Sequence, residues 1–248
     1  ASVATDILAK HGVQFVNGAK VASFVESGDG VVVNYSLATP AGEPENQELA
    51  VDYVLLAIGR RPATDGLGLE TAGIATGARG EVVVDEFCRT NVPGVFAVGD
   101  VNGGPQFTYI SFDDHRVVMD QLVGSGKRST AGRIIPTSTF INPPLSTVGL
   151  GEQAAREAGY EVRVASKPVA AIAAMPRPKI VGNPDGVIKF VIDAATDRIL
   201  GASLLVIDSQ ELINLVALAI KQGLTAADLA GAIYTHPSSS EAFNEVLA

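Results

Sequence analysis

His236 stands before Pro237 and five positions ahead of Glu241, in the stretch Tyr234-Thr235-His236-Pro237-Ser238-Ser239-Ser240-Glu241. A carboxylate within reach of an imidazole fixes its tautomer and makes the ring a general acid–base near neutral pH. The same residues also read as a helix start: Ser238 followed three positions later by Glu241 has the spacing of a capping box. The two readings are compatible, and His236–Pro237 is a candidate cis peptide. A second group lies earlier. Gly59 closes the apolar run Tyr53–Ile58, and Gly99-Asp100 closes Val95–Val98. At the carboxyl edge of a strand a glycine lets a ligand approach the backbone and an aspartate accepts from hydroxyls. The alternatives are an ordinary loop carrying solvated Arg60 and Arg61, and a commonplace Gly-Asp turn.

The elements that must hold these residues follow from periodicity and punctuation. A helix is expected over residues 1–11, stopped by Gly12, with His11 at a solvent-facing end. Strands are expected at Val13–Val16, Val21–Val25 and Val31–Tyr35, the last two joined by a hairpin at Ser27–Gly30. Leu49–Ile58 reads as a strand whose second part, Tyr53–Ile58, is too apolar for a wet face and suits cover on both sides. Val82–Asp85 and Val95–Val98 follow, the latter fed by a turn at Pro93-Gly94. A helix runs from about Ile110 to Leu122, with His115 on its surface or at an interface. The polar stretch Ser125–Thr130 marks a boundary.

Beyond that boundary strands are expected at Ser138–Ile141, Ser146–Gly149, Val162–Val169, Gly186–Asp193 and Ile199–Leu205, with a helix over about 151–158. The long helix Ser209–Lys221 carries apolar residues over most of its circumference, more than a single stripe needs. A second burial surface, such as a subunit interface, would use them. Thr225, with Asp228 three positions on, caps a short helix.

Composition limits the chemistry. The net charge of -9 with no Lys/Arg cluster opposes nucleic-acid binding. No apolar run reaches the ~18 residues of a membrane helix, and a cytoplasmic protein is expected. The only cysteine, Cys88, follows an apolar strand and reads as a small buried hydrophobe, so no disulfide or redox pair can form within these residues. Three scattered histidines and that one cysteine leave no zinc-type ligand cluster.

His-Pro-Ser-Ser-Ser-Glu resembles the C-terminal end of the flavoprotein disulfide reductases, and Thr90-Asn91-Val92-Pro93-Gly94-Val95-Phe96-Ala97-Val98-Gly99-Asp100, some thirty residues after Ala57-Ile58-Gly59-Arg60-Arg61-Pro62, resembles their second FAD-binding motif. The resemblance runs from end to end. Within the superfamily it is most similar to the reactive chlorine resistance flavoproteins and hypothiocyanous acid reductases, through Tyr109–Asp114, Gly201–Leu205 and Asp208–Asn214. Dihydrolipoamide dehydrogenases tend to carry a histidine where this chain has Tyr234, and the C-terminal cysteine pair of mercuric reductases is absent.

The resemblance implies a fold of α/β and α+β class. Residues 1–62 would be the end of a Rossmann-like NAD(P)-binding domain, 63–133 the end of an FAD-binding domain, and 134–248 an α+β dimerisation domain. It implies that Asp100, beside Gly99, holds the ribityl chain of FAD, that Gly59 borders the nicotinamide nucleotide, and that Phe107, Thr108 and Tyr109 lie against the flavin ring. His236, oriented by Glu241, would serve the dithiol of the other subunit of a homodimer. NAD(P)H would reduce FAD, then a cysteine pair, then a small oxidised substrate. Neither redox cysteines nor a Gly-rich nucleotide fingerprint occurs in these residues. The chain is therefore expected to be the C-terminal half or more of a longer enzyme, inactive by itself. Dihydrolipoamide dehydrogenase, or a non-catalytic dimerisation module, is the alternative.

Overall fold

The computed structural model describes residues 1–39 and 42–248. They form two units, Gly18–Arg133 and a second in which Ala1–Asn17 joins Ile134–Ala248. The chain opens with α1 (Ser2–Lys10), which buries Ile7 and ends at an exposed His11.

In the first unit, β1 (Lys20–Ser27), β2 (Gly30–Leu37) and β3 (Glu45–Val51) make an antiparallel meander in sequence order. The hairpin falls where the turn residues placed it, with Ser27 opposite Gly30. β3 departs from expectation. It ends at Val51, and Tyr53–Ile58 is not a strand: Tyr53 is 91% exposed, and Leu55 and Ile58 are each 90% exposed. Val13–Val16 forms no strand either, while Val82–Asp85 and Val95–Val98 contribute only the isolated bridges Thr76 to Val82 and Arg89 to Phe96. A strand exists by virtue of the strand beside it, and apolar composition records a demand for cover without naming its supplier. No described strand pairs with these four segments.

α2 (Thr108–Val123) begins two residues before the expected Ile110 and buries Ile110, Asp114 and Val117 on one face. It stops where Asp120 turns its carboxylate onto the chain ahead, accepting from the backbone N–H groups of Ser125 at 2.9 Å and Arg128 at 2.7 Å. Such local bonds offer the backbone an alternative to continuing the helix.

The second unit is built on a five-stranded antiparallel sheet in the order β4-β5-β8-β7-β6. Its elements in chain order are β4 (Thr137–Thr139), β5 (Leu145–Gly149), α3 (Glu152–Glu157), β6 (Val162–Pro168), α4 (Arg177–Ile180), β7 (Val187–Asp193), β8 (Ile199–Leu205), α5 (Ser209–Gln222), α6 (Ala226–Ala230) and α7 (Ala242–Val246). Ile188, Phe190 and Ile192 recur at the two-residue period of a strand and are all fully buried. α5 packs across β5 and β8 through its buried Leu212, Ile213, Val216 and Ala219, while Leu215 and Leu218 are left 44% and 55% exposed. The second apolar face of α5 is thus real and is not covered among the described residues.

Phe243 of α7 meets Phe190 edge to face, with ring centroids 5.4 Å apart. The expected cap of α6 is a reciprocal box: Asp228 N–H donates to the Thr225 hydroxyl at 3.1 Å, and Thr225 N–H donates to the Asp228 carboxylate at 2.8 Å. No helix among the described residues is long and apolar enough to cross a membrane. Because Phe243 is fully buried against the sheet, Phe243→Ala should cost about 3–5 kcal/mol, read as a lowered urea midpoint of unfolding.

Candidate active site

α7 begins at Ala242, and the loop before it carries the histidine. His236–Pro237 is cis. The loop is held at its base by the Tyr234 hydroxyl, which donates to the Leu229 carbonyl at 2.8 Å, and by the Asn244 amide, which donates to the carbonyls of Ala230 and Ala232 at 2.7 and 2.8 Å. Tyr234 also packs its ring edge-on to Phe243. Neither anchor carried a sequence signal, since a tyrosine or an asparagine at those positions reads equally well as surface.

Glu241 divides its carboxylate between two tasks. Oε1 lies 2.8 Å from His236 Nδ1, and Oε2 accepts from Ser238 N–H at 2.8 Å. The capping-box reading is corrected by half. Glu241 does reach back to Ser238, but the Ser238 hydroxyl pairs with that of Ser240 at 2.9 Å, and Glu241 itself occupies the N-cap position with no side-chain cap bond. An ionised carboxylate can only accept, so Nδ1 carries the hydrogen and Nε2 keeps its lone pair. The His236 side chain is 71% exposed and that of Glu241 only 14%. The pair is an outward-facing base on a largely covered orienting group.

In the unit Gly18–Arg133 a different set assembles. Gly99–Asn102 is one turn of 3-10 helix, entered through Gly99 at φ +72. A Cβ there would sit 2.2 Å from Ser111 Oγ, so α2 packs onto a bare backbone. Asp114, 1% exposed on the buried face of α2, accepts at Oδ2 from Gly99 N–H at 2.8 Å and from the Asn102 amide at 3.0 Å. At Oδ1 it accepts from Arg133 at 2.7 Å, and Arg133 Nε also forms an ion pair with Asp113 at 2.8 Å. Sequence reasoning quoted Asp114 only as part of a phrase; an acid beside another acid on a helix looks solvated.

Held this way, Asp100 stays exposed and lines a cavity of about 400 Å³ with Arg60, Arg61, Pro62, Val101 and Gln106. Gly59, at φ +120, immediately precedes that wall in a backbone region that only glycine enters freely. Two motifs forty residues apart therefore meet at one cavity. Phe107 and Tyr109 stack their rings at 5.1 Å around Thr108, the first residue of α2. The cavity offers a carboxylate for hydroxyl groups, guanidinium groups for anions and a helix N-terminus close in sequence. Cys88 is fully buried, and burial first, then Asp114, pushes its thiol up to about 11. It is no nucleophile. Among the described residues no cluster of His, Cys, Asp and Glu could hold a metal ion.

Two sequence profiles match the chain. One, described as pyridine nucleotide-disulphide oxidoreductase, covers residues 1–114. The other, the dimerisation domain of the same name, covers residues 135–247. The probable pyridine nucleotide-disulfide oxidoreductase RclA of Escherichia coli is 49% identical over 205 residues, 82% of this chain and 46% of the relative. A dihydrolipoyl dehydrogenase of Mycobacterium tuberculosis is 38% identical over 238 residues, 95% of this chain and 49% of the relative. The solved structure of the HOCl-induced flavoprotein disulfide reductase RclA from Escherichia coli superposes with a TM-score of 0.90 at 43% identity, over 99% of this chain and 54% of that one. The chain spans about half the length of these relatives.

The backbone bond from Ser238, and next His236, hold the Glu241 carboxyl below its ordinary range. A depressed carboxyl stabilises the native state in full above the unfolded-state value of about 4.3 and loses that contribution as pH falls through the lowered native value. On acidification the bonded Nδ1–H resonance of His236 should therefore persist through the ordinary carboxylate range and be lost only below it, and Glu241→Gln should weaken it at every pH. A resonance unaffected by either change would show that the bond does not hold in solution. Asp114→Ala, which leaves Arg133 with one partner fewer, the buried Gly99 N–H orphaned and the Asn102 amide with only the Ala97 carbonyl at 3.4 Å, should cost about 3 kcal/mol in chemical unfolding.

Proposed function

This chain belongs to the pyridine nucleotide-disulphide oxidoreductases, and we propose that it is the C-terminal part of an FAD-dependent enzyme that passes electrons from NAD(P)H, through a cysteine pair outside these residues, to a small oxidised substrate such as a reactive chlorine or hypothiocyanite species. The observation that carries this reading is the 2.8 Å contact between His236 Nδ1 and Glu241 under an exposed ring. In thiol–disulfide exchange the thiolate is the nucleophile. Nε2 can take the proton of a thiol, leaving the thiolate, and return it to the departing sulfur or oxygen, while Glu241 steadies the ring in both states. Positioned proton transfer of this kind contributes roughly 10²–10⁴ in rate.

The residues near the Asp100 cavity fit a flavin. Gly99, closed against Ser111 of α2, shapes the turn that leaves Asp100 exposed to accept from ribityl hydroxyls, and Gly59 permits close backbone approach beside the nicotinamide nucleotide. The N-terminus of α2 at Phe107, Thr108 and Tyr109 suits the electron-rich edge of a reduced ring. A flavin bound there would supply electron transfer between nicotinamide and dithiol. We assign residues 1–62 to the end of an NAD(P)-binding domain, 63–133 to that of an FAD-binding domain and 134–248 to dimerisation.

A homodimer is supported by the profile over 135–247 and by the uncovered Leu215 and Leu218 of α5. A cytoplasmic setting suits a chain with one unpaired cysteine. Tyr234, in place of a histidine, favours the chlorine and hypothiocyanite substrates over lipoamide.

In an enzyme assembled with a redox-cysteine half, His236→Ala should lower turnover of the oxidised substrate by about 10²–10⁴ while reduction of the bound flavin by NAD(P)H is unchanged. Steady-state assays with hypochlorous, hypothiocyanous and lipoamide substrates read both the loss and the specificity. Turnover within twofold of the parent would remove His236 from the chemistry.

A further inference from the structure

Asp208 is a second carboxylate tied to the His236 loop, and the chemistry above does not use it. It stands at the N-cap of α5 with φ +63 and ψ +14, a left-handed backbone that an aspartate adopts rarely. An N-cap aspartate ordinarily accepts from the first free N–H groups of its helix, yet Asp208 makes no side-chain cap bond. Its Oδ2 accepts instead from the Ser239 hydroxyl at 3.0 Å and from Arg177 Nε at 3.2 Å. The backbone of Asp208 is fastened into α5, its carbonyl accepting from Glu211 and Leu212 at 2.9 and 3.1 Å. A local cap has been given up for two distant partners, one of them at the start of α4 and the other in the histidine loop.

Ser239 lies midway between His236 and Glu241 and is 4% exposed, the most deeply buried residue of that stretch. The Ser238 hydroxyl and backbone bond to Ser240 and Glu241, both inside the loop. Ser239 to Asp208 is the hydrogen bond that ties the span 236–241 to an element outside it, among the side-chain bonds of the described residues. The Ser239 carbonyl in turn accepts from the N–H of Ala242, the first residue of α7, at 3.3 Å. The path of the backbone at Ser239 decides whether one carboxylate can reach His236 and Ser238 together.

We propose that Asp208 is a positioning residue for the proton shuttle: through Ser239 it sets the loop so that Glu241 meets His236 Nδ1. The inference rests on the proposed role of His236 and names the element that keeps its tautomer fixed. Arg177 serves Asp208 as a counter-ion and lies one step further out.

The test uses the chain itself, labelled with ¹⁵N, and long-range proton–nitrogen spectra of the imidazoles, with His11 and His115 assigned by His→Gln variants. Asp208→Gly removes the acceptor at no steric cost to the left-handed backbone. Ser239→Ala removes only the donor. Asp208→Asn keeps an acceptor oxygen and tolerates the same backbone. The parent should show a single Nδ1–H tautomer for His236. Asp208→Gly and Ser239→Ala should give a mixed tautomer, Asp208→Asn should restore the parent pattern, and His11 and His115 should not change.

If Asp208→Gly does not fold, as judged by far-ultraviolet circular dichroism, Ser239→Ala decides. A parent-like His236 pattern in Ser239→Ala and in any folded Asp208→Gly would overturn the positioning role while leaving the catalytic assignment intact. A parent without a fixed His236 tautomer would instead count against the Glu241 couple, and so against both. In the assembled enzyme Asp208→Gly should lower kcat about tenfold with KM held, and Asp208→Asn should recover most of it.

Discussion

Glu241 has two oxygens and two donors facing them, His236 Nδ1 and Ser238 N–H, both at 2.8 Å. That equal division orients an exposed ring. A free imidazole at the surface exchanges tautomers and turns about two side-chain bonds; bonded at Nδ1 to a carboxylate that is itself held by backbone, it presents Nε2 in one direction. The cost is conformational, since ordering two long side chains and a loop offsets much of what the bonds return. The fold meets that cost beneath the loop, where Tyr234 and Asn244 fasten it to Leu229, Ala230 and Ala232. Phe243 packs the same tyrosine against the sheet.

The cavity at Asp100 depends on a carboxylate in a comparable way. Asp114 does not line the cavity with Asp100; it shapes the turn that presents Asp100. Burying a charge at 1% exposure is unfavourable unless donors surround it. Gly99, Asn102 and Arg133 supply them, the last with Asp113 as a second partner. The geometry is specific because the group is buried: in a low-dielectric setting the three donors cannot be exchanged for water without large loss. In both units a covered carboxylate fixes the setting of an exposed residue.

Local signals in the sequence reached as far as local physics does. Period-two apolar runs between turn residues placed β1, β2 and β6 to β8 to within a residue or two, and Thr225 with Asp228 marked a cap found as a reciprocal box. The His-Pro-Ser-Ser-Ser-Glu spacing brought out the histidine–carboxylate pair His236–Glu241. Legibility ended where a partner had to be named. Tyr53–Ile58 is as strand-like as β7 in composition, and only the neighbours of β7 distinguish them. Asp114 and Asp208 were invisible as anchors because their partners, Gly99 and Ser239, lie 15 and 31 positions away. An acid on a helix has the same letter whether it faces water or a backbone N–H.

The uncovered surfaces bear on the chemistry as well as on solubility. Contiguous apolar patches at a surface mark places where another surface belongs, and α5, in the unit that carries His236, leaves Leu215 and Leu218 uncovered one turn apart. Under the proposed reading a second copy covers α5 and brings its dithiol to the ring. Association then does more than deliver sulfur. A His–Glu couple at 71% exposure of the ring works in a high dielectric, where the bond to Glu241 is weak and a thiolate is stabilised by water alone. Removing that water on docking strengthens the orienting bond and makes imidazolium the natural partner of the thiolate. The same residues can therefore be inert as proton carriers in a lone subunit and effective in a dimer, with no change in their own geometry.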